Sequence, residues 1–204
     1  MSYSNFTNLD LKRQFGVEQI YRTDLFTHIG PRPVSDLIKA FLSENFNFAL
    51  AQGTEKARSE YIIAPVFSEL RKQAKETISV FSGWELNVDA ARGLNGFCDF
   101  LVSRSPYQSA LEAPIIVAVK AKKEDFEKGI SQCIAEMIGA RIYNERLGDP
   151  VDEIYGCVTT GDVWRFLKLK DNLAEVEPKA FEITADLEQI IGILWAMTFG
   201  ETKS

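Results

Sequence analysis

The spacing of apolar and polar positions divides the chain into a helical first third and a strand-rich remainder. In residues 34–50, Leu37, Ile38, Phe41, Leu42 and Phe46 recur at helical spacing, and Pro31 and Pro33 mark the entry. Residues 54–75 repeat the pattern, with Tyr61, Ile62, Val66, Phe67 and Leu70 on one face. Pro65 within that stretch predicts a kink or a break, since proline removes a helical donor. The period then changes. Residues 78–88 alternate as a strand, bulged at Gly83, and residues 97–102 and 115–122 follow as two more. A long helix is expected over 124–145, then strands at 154–160, 164–169 and 173–176, and an amphipathic helix over 184–199. This order predicts an α/β fold, a mixed β-sheet flanked by helices. All 204 residues fit one domain, with 1–75 as a helical N-terminal part and 76–204 carrying the sheet.

Two of the strands carry chemistry. In 115–122, side chains at Ile116, Ala118, Lys120 and Lys122 share one side, and Val117, Val119 and Ala121 share the other. Two lysines thus project together from an apolar run. On the preceding strand Asp99 shares its face with Phe97 and Leu101, so pairing of the two strands would set Asp99 beside Lys122. An acid and an ammonium in strand centres cost desolvation energy unless they have partners or a task. Glu60 adds a carboxylate on the mostly apolar second helix. Each residue also has a plainer role: Asp99 pairing with an arginine or capping a turn, and the lysines facing solvent from an edge strand to discourage aggregation.

Taken in order, Glu60, the segment Gly96-Phe-Cys-Asp99-Phe and the strand ending Ala118-Val-Lys120-Ala-Lys122-Lys123 resemble the motifs of the PD-(D/E)XK nuclease superfamily, the restriction-endonuclease-like fold. The resemblance spans residues 59–169. It implies metal-dependent hydrolysis of phosphodiester bonds in nucleic acid, DNA first, with Mg²⁺ or Mn²⁺ as cofactor. Asp99 would bind the metal, as hard cations prefer carboxylate oxygens. Lys122 would orient the attacking water, and Glu60 would support the metal. Gln132 is similar to a glutamine of several branches and, with Lys123, would contact substrate.

The family pattern places a carboxylate two residues before the lysine, and here that residue is Lys120. A carboxylate ~4 Å from a unit charge gains roughly 4 kcal/mol at an effective dielectric of about 20. An ammonium reverses the sign, and the metal carries two charges. The pattern therefore describes a weakened or inactive nuclease. Glu136, on the following helix one turn beyond Gln132, is the one candidate to replace the missing acid, although the stripe Phe126, Ile130, Ile134, Met137 points away from it. The rival reading is a non-catalytic nucleic-acid-binding or assembly module, in which Lys120 and Lys122 engage phosphate or pair internally with Asp99 and Glu60.

Composition narrows the field further. A formal charge of -6 means that any phosphate contact must rest on a local patch. Lys122, Lys123, Lys128, Arg141 and Arg146 offer one, but Glu124, Asp125 and Glu127 make an ordinary charged helix face as plausible. The single histidine, His28, leaves no basis for a His-rich zinc site or a Ser-His pair. Cys98, Cys133 and Cys157 sit in apolar segments and read as reduced core thiols. No apolar run reaches the ~20 residues of a membrane span, and the N-terminus lacks signal-peptide character, so a cytoplasmic protein is expected. The apolar end around Trp195 and Phe199 suits a homodimer contact.

Overall fold

The computed structural model describes residues 2–122 and 125–200. Its centre is an eight-stranded mixed sheet built from β1 (Glu18–Tyr21), β2 (Ser79–Glu85), β3 (Phe97–Ser103), β4 (Ile115–Ala121), β5 (Glu153–Thr159), β6 (Val163–Lys170), β7 (Leu173–Val176) and β8 (Phe181–Glu182). The order is β1-β7-β6-β5-β4-β3-β2, with β8 beside β6. β4 with β5 and β1 with β7 run parallel, and the remaining pairs are antiparallel. The strands expected at 78–88, 97–102, 115–122, 154–160, 164–169 and 173–176 are all present within a few residues. β1 and β8 were not foreseen. Both are short, and β1 is exposed at three of its four residues, so they give little of the alternation that marks a strand.

The helices are α1 (Asn8–Phe15), α2 (Asp36–Gln52), α3 (Glu55–Arg58), α4 (Ala64–Gln73), α5 (Phe126–Arg146) and α6 (Ile183–Phe199). α1 rests on local signals. Thr7 Oγ1 accepts the N–H of Asp10, the Asp10 carboxylate takes the N–H of Thr7 in return, and Gly16 closes the helix in the left-handed region at φ 68°. Between α3 and α4 the chain makes a π-helical turn over Ser59–Ile63, where the N–H of Ala64 donates to the carbonyl of Ser59. The kink or break expected at Pro65 takes the form of this π turn, whose wider register ends just before the proline, which has no N–H to place.

Two cores lie on the two sheet faces. One holds α2, α4 and α6 against Phe100, Val102, Val117, Val119, Phe166 and Phe181. The other holds α1, α5 and the segment 2–6 against Leu101, Ala118, Val158 and Leu167. β4 is buried along its whole length, which is why it reads as a nearly unbroken apolar run. α5 crosses from β4 to β5, as a parallel pair requires, and is buried from Gly129 through Ala140. The segment 2–6 lies against it: the N–H of Tyr3 donates to the Asn95 carbonyl at 3.1 Å, Gln132 Nε2 donates to the Ser4 carbonyl at 2.6 Å, and the Tyr3 hydroxyl packs over Gly139.

That last contact is directly testable. A methyl at position 139 would overlap the Tyr3 hydroxyl, so Gly139→Ala should lower stability by about 1–3 kcal/mol in urea denaturation. Adding Tyr3→Phe to the Gly139→Ala chain should recover part of that loss. A Gly139→Ala chain as stable as the parent would show that Tyr3 does not sit where described.

Candidate functional site

β3 and β4 pair in register only as far as Phe100 opposite Val119. Beyond that point the Asp99 side chain takes the place of a backbone acceptor, its Oδ2 accepting the N–H of Ala121 at 2.8 Å. The same oxygen lies 2.9 Å from Lys120 Nζ. The ammonium also lies 3.3 Å from Glu136 Oε1 on α5. One cation thus sits between two carboxylates at the end of the central strands. The lysine side chain is 11% exposed, Asp99 33% and Glu136 0%, so only Asp99 opens to solvent.

The expectation that Asp99 meets Lys122 is corrected: its partner is Lys120. β4 ends at Ala121, and the N–H of Lys122 is already directed to the Thr159 carbonyl at 2.8 Å. The Lys122 stem lies over Gly129 at the start of α5, and its charge favours the ionised form of Glu136. Of the internal pairing of Lys120 and Lys122 with Asp99 and Glu60, the Lys120–Asp99 contact is present, and Glu136 rather than Glu60 is the second acid. Glu60 lies on the π turn and lines, with Ser59, Ser82, Gly83, Asp99 and Ala121, a cleft of about 330 Å³. Its carboxylate is half exposed and bonded to Lys56 at 2.6 Å, a surface pair of little energetic weight. Gln132 is buried and spends its amide on Ser4, so it does not face a substrate. Lys123 lies outside the described residues.

Glu136 was expected to stand clear of the apolar stripe. α5 has no polar side at that level, since every residue from Gly129 to Ala140 is buried, and an acid there is enclosed whichever way it points. Among the described residues neither Glu136 oxygen completes a well-directed hydrogen bond, nor do the Tyr3 hydroxyl and Gln132 Oε1. The 3.3 Å approach of Lys120 is an ion contact rather than a directed bond. Tyr3 and Ser4, absent from the expected site, are the residues that close it on this side. No local pattern marks them, since their contacts are with Gly139 and Gln132, far along the chain.

The charges settle unevenly. Burial pushes the Glu136 carboxyl up to about 8, against the pull of Lys120 and with the push of Asp99. Burial also works against the Lys120 ammonium, but Glu136 and Asp99 together hold its pKa well above the ordinary lysine value. Glu136 helps Lys120 keep its proton only when ionised, so the two effects compete. Lys120 stays charged in either case, because the shorter contact is to Asp99; Glu136 is the member that gives way. Cys98, also raised by burial and then by Glu136, remains a thiol, and all three cysteines are buried and free.

These residues do not fit a divalent metal as they stand. Among the described residues no group of three metal-ligating side chains converges. A Mg²⁺ ion needs oxygens at ~2.1 Å, and the point shared by Asp99 and Glu136 holds an ammonium. A doubly charged ion ~4 Å from that ammonium would be repelled by roughly 8 kcal/mol at an effective dielectric of about 20. A larger cleft, about 670 Å³ between α2 and the start of α6, lies elsewhere and brings together Leu42, Phe46, Ile183 and Leu187 with the paired Lys39 and Glu188. We place the site at the smaller cleft because there the enclosed Lys120 and Glu136 are linked to solvent through Asp99. No family model and no curated protein matches this chain. No helix among the described residues is long and apolar enough to cross a membrane.

The raised Glu136 has a pH signature. The folded carboxyl holds its proton to about pH 8, and the unfolded one loses it near 4.5. Stability from this group is therefore complete below the unfolded value and is lost as pH rises through the folded one. Between about pH 5 and 9 the parent chain should lose on the order of 2–4 kcal/mol in urea denaturation, and Glu136→Gln should not. Parallel curves for the two would contradict the assignment.

Proposed function

We propose that the chain is a restriction-endonuclease-like domain of PD-(D/E)XK type whose phosphodiesterase centre is silenced by Lys120, leaving a non-catalytic role in binding nucleic acid, DNA first. The observation that carries this reading is the ammonium of Lys120 lodged between Asp99 and Glu136. Three further features support the nuclease descent. A β-hairpin, a parallel crossover through α5 and a helix on the opposite face deliver Asp99, the 120–122 segment and Glu60 to one end of the sheet. Asp99 leaves the β-ladder at the level where its carboxylate can reach the cleft. Glu60 sits on a π turn, a distortion found often at functional sites.

In an active enzyme of this type Mg²⁺ or Mn²⁺ would supply charge stabilisation at phosphorus. Here the donor set does not fit the ion, so no hydrolytic step is assigned to these residues. What remains is a cleft with Asp99, Glu60 and Lys56 on its walls and Lys122 following its lining residue Ala121. The cleft is acidic in balance, and DNA binding through it would depend on Lys122 and on the exposed Lys128 at the start of α5.

A nicking assay on supercoiled plasmid with Mn²⁺ tests the reading. The parent chain should leave the plasmid intact, and Lys120→Glu should nick it at least about tenfold faster than background. Nicking by the parent would contradict the silencing. A folded Lys120→Glu chain without nicking would contradict the nuclease descent.

A further inference from the structure

Glu136 is fully enclosed and, among the described residues, neither of its oxygens completes a hydrogen bond. An acid so placed is aimed at something carrying positive charge, and among the described residues the cation in contact with it is Lys120 Nζ. That same nitrogen is bonded to Asp99, the acid at the rim of the cleft. The ammonium therefore lies at nearly the same distance, within half an ångström, from two carboxylates, one on β3 and one on α5.

We propose that the Lys120 ammonium is a built-in counter-cation that replaces a divalent ion between Asp99 and Glu136, so that the chain binds no such ion there and the two carboxylates form a metal site once the ammonium is removed. A tethered cation needs no supply of metal and cannot dissociate, so it closes the sheet end at fixed charge. It also differs from a bound ion in what it leaves undone. Lysine offers three donors and no Lewis-acid vacancy, so it holds the carboxylates together without presenting an open coordination position to a phosphate oxygen. Distances agree with this substitution: an ammonium contact of 2.9–3.3 Å would contract by about 1 Å on exchange for a small divalent ion. Asp99, on the cleft rim, is the member with room to make that movement.

The inference rests on the nuclease reading for why an ion belongs at this point, yet its readout is metal binding. Failure of every variant to nick DNA would count against that reading and leave this result standing. The experiment is Mn²⁺ binding followed by electron paramagnetic resonance and by calorimetry on the parent, Lys120→Ala, Lys120→Gln and Lys120→Ala with Glu136→Gln. The two single variants should bind Mn²⁺ at least about tenfold more tightly than the parent, and the added Glu136→Gln should abolish the gain. Equal binding by parent and single variants, or folded single variants that gain none, would overturn the proposal. Amide NMR of the parent chain gives an answer even if the variants do not fold. Mn²⁺ should leave the resonances of Asp99, Lys120 and Glu136 unbroadened, and selective broadening of those three would overturn it.

Discussion

One buried ammonium organises this molecule. Lys120 stands at the end of a strand otherwise closed to water on both faces, where an unpaired charge would be costly. Asp99 on the neighbouring strand removes most of that cost, and Glu136 on the helix packed over it adds charge compensation only as it ionises. Three elements that share no sequence proximity are thereby tied at a single point. Such a cluster is not a large source of stability, because desolvation offsets much of the attraction. Its effect is on placement: removing Lys120 leaves Glu136 enclosed without its ion contact, and removing Asp99 leaves the ammonium with only the more distant acid.

The surrounding structure follows from that demand. β3 and β4 end their ladder where Asp99 must turn its carboxylate to Ala121 and Lys120. α5 presents its one buried acid at the same level, and the segment 2–6 closes the far side, with Tyr3 fitted into the space left by Gly139. The opposite face is looser. There the π turn carries Glu60 to the cleft wall, where it pairs with Lys56 in water rather than with the buried cluster. The site thus has a closed half that sets the charge and an open half that meets solvent.

Much of this was legible in the chain. β3, β4 and α5 follow from periods of two and of helical spacing, and the lysines stood out because an apolar strand rarely carries them. The pairing of Asp99 with an ammonium was legible too, but not the choice between the two lysines: alternation says which residues share a face, while the register, Phe100 opposite Val119, sets Asp99 across from Lys120. Glu136 was hidden for another reason. A helix buried all round has no polar face to read, and its acid looks misplaced until the strand opposite is known. Tyr3 and Ser4 were beyond reach, since their contacts with Gly139 and Gln132 span most of the chain and depend on the path of the segment before α1.

The central claim is that Lys120 is a charged, buried cation held by Asp99 and Glu136. Its most direct test is the titration of the Lys120 ε-carbon by NMR in the parent chain. Exposed lysines lose their protons near ~10.4. Lys120 should keep its proton through that range, since its pKa is held above the ordinary lysine value, and Asp99→Asn should bring it down. A Lys120 that titrates below the exposed lysines, or is neutral at pH 7, would contradict the account.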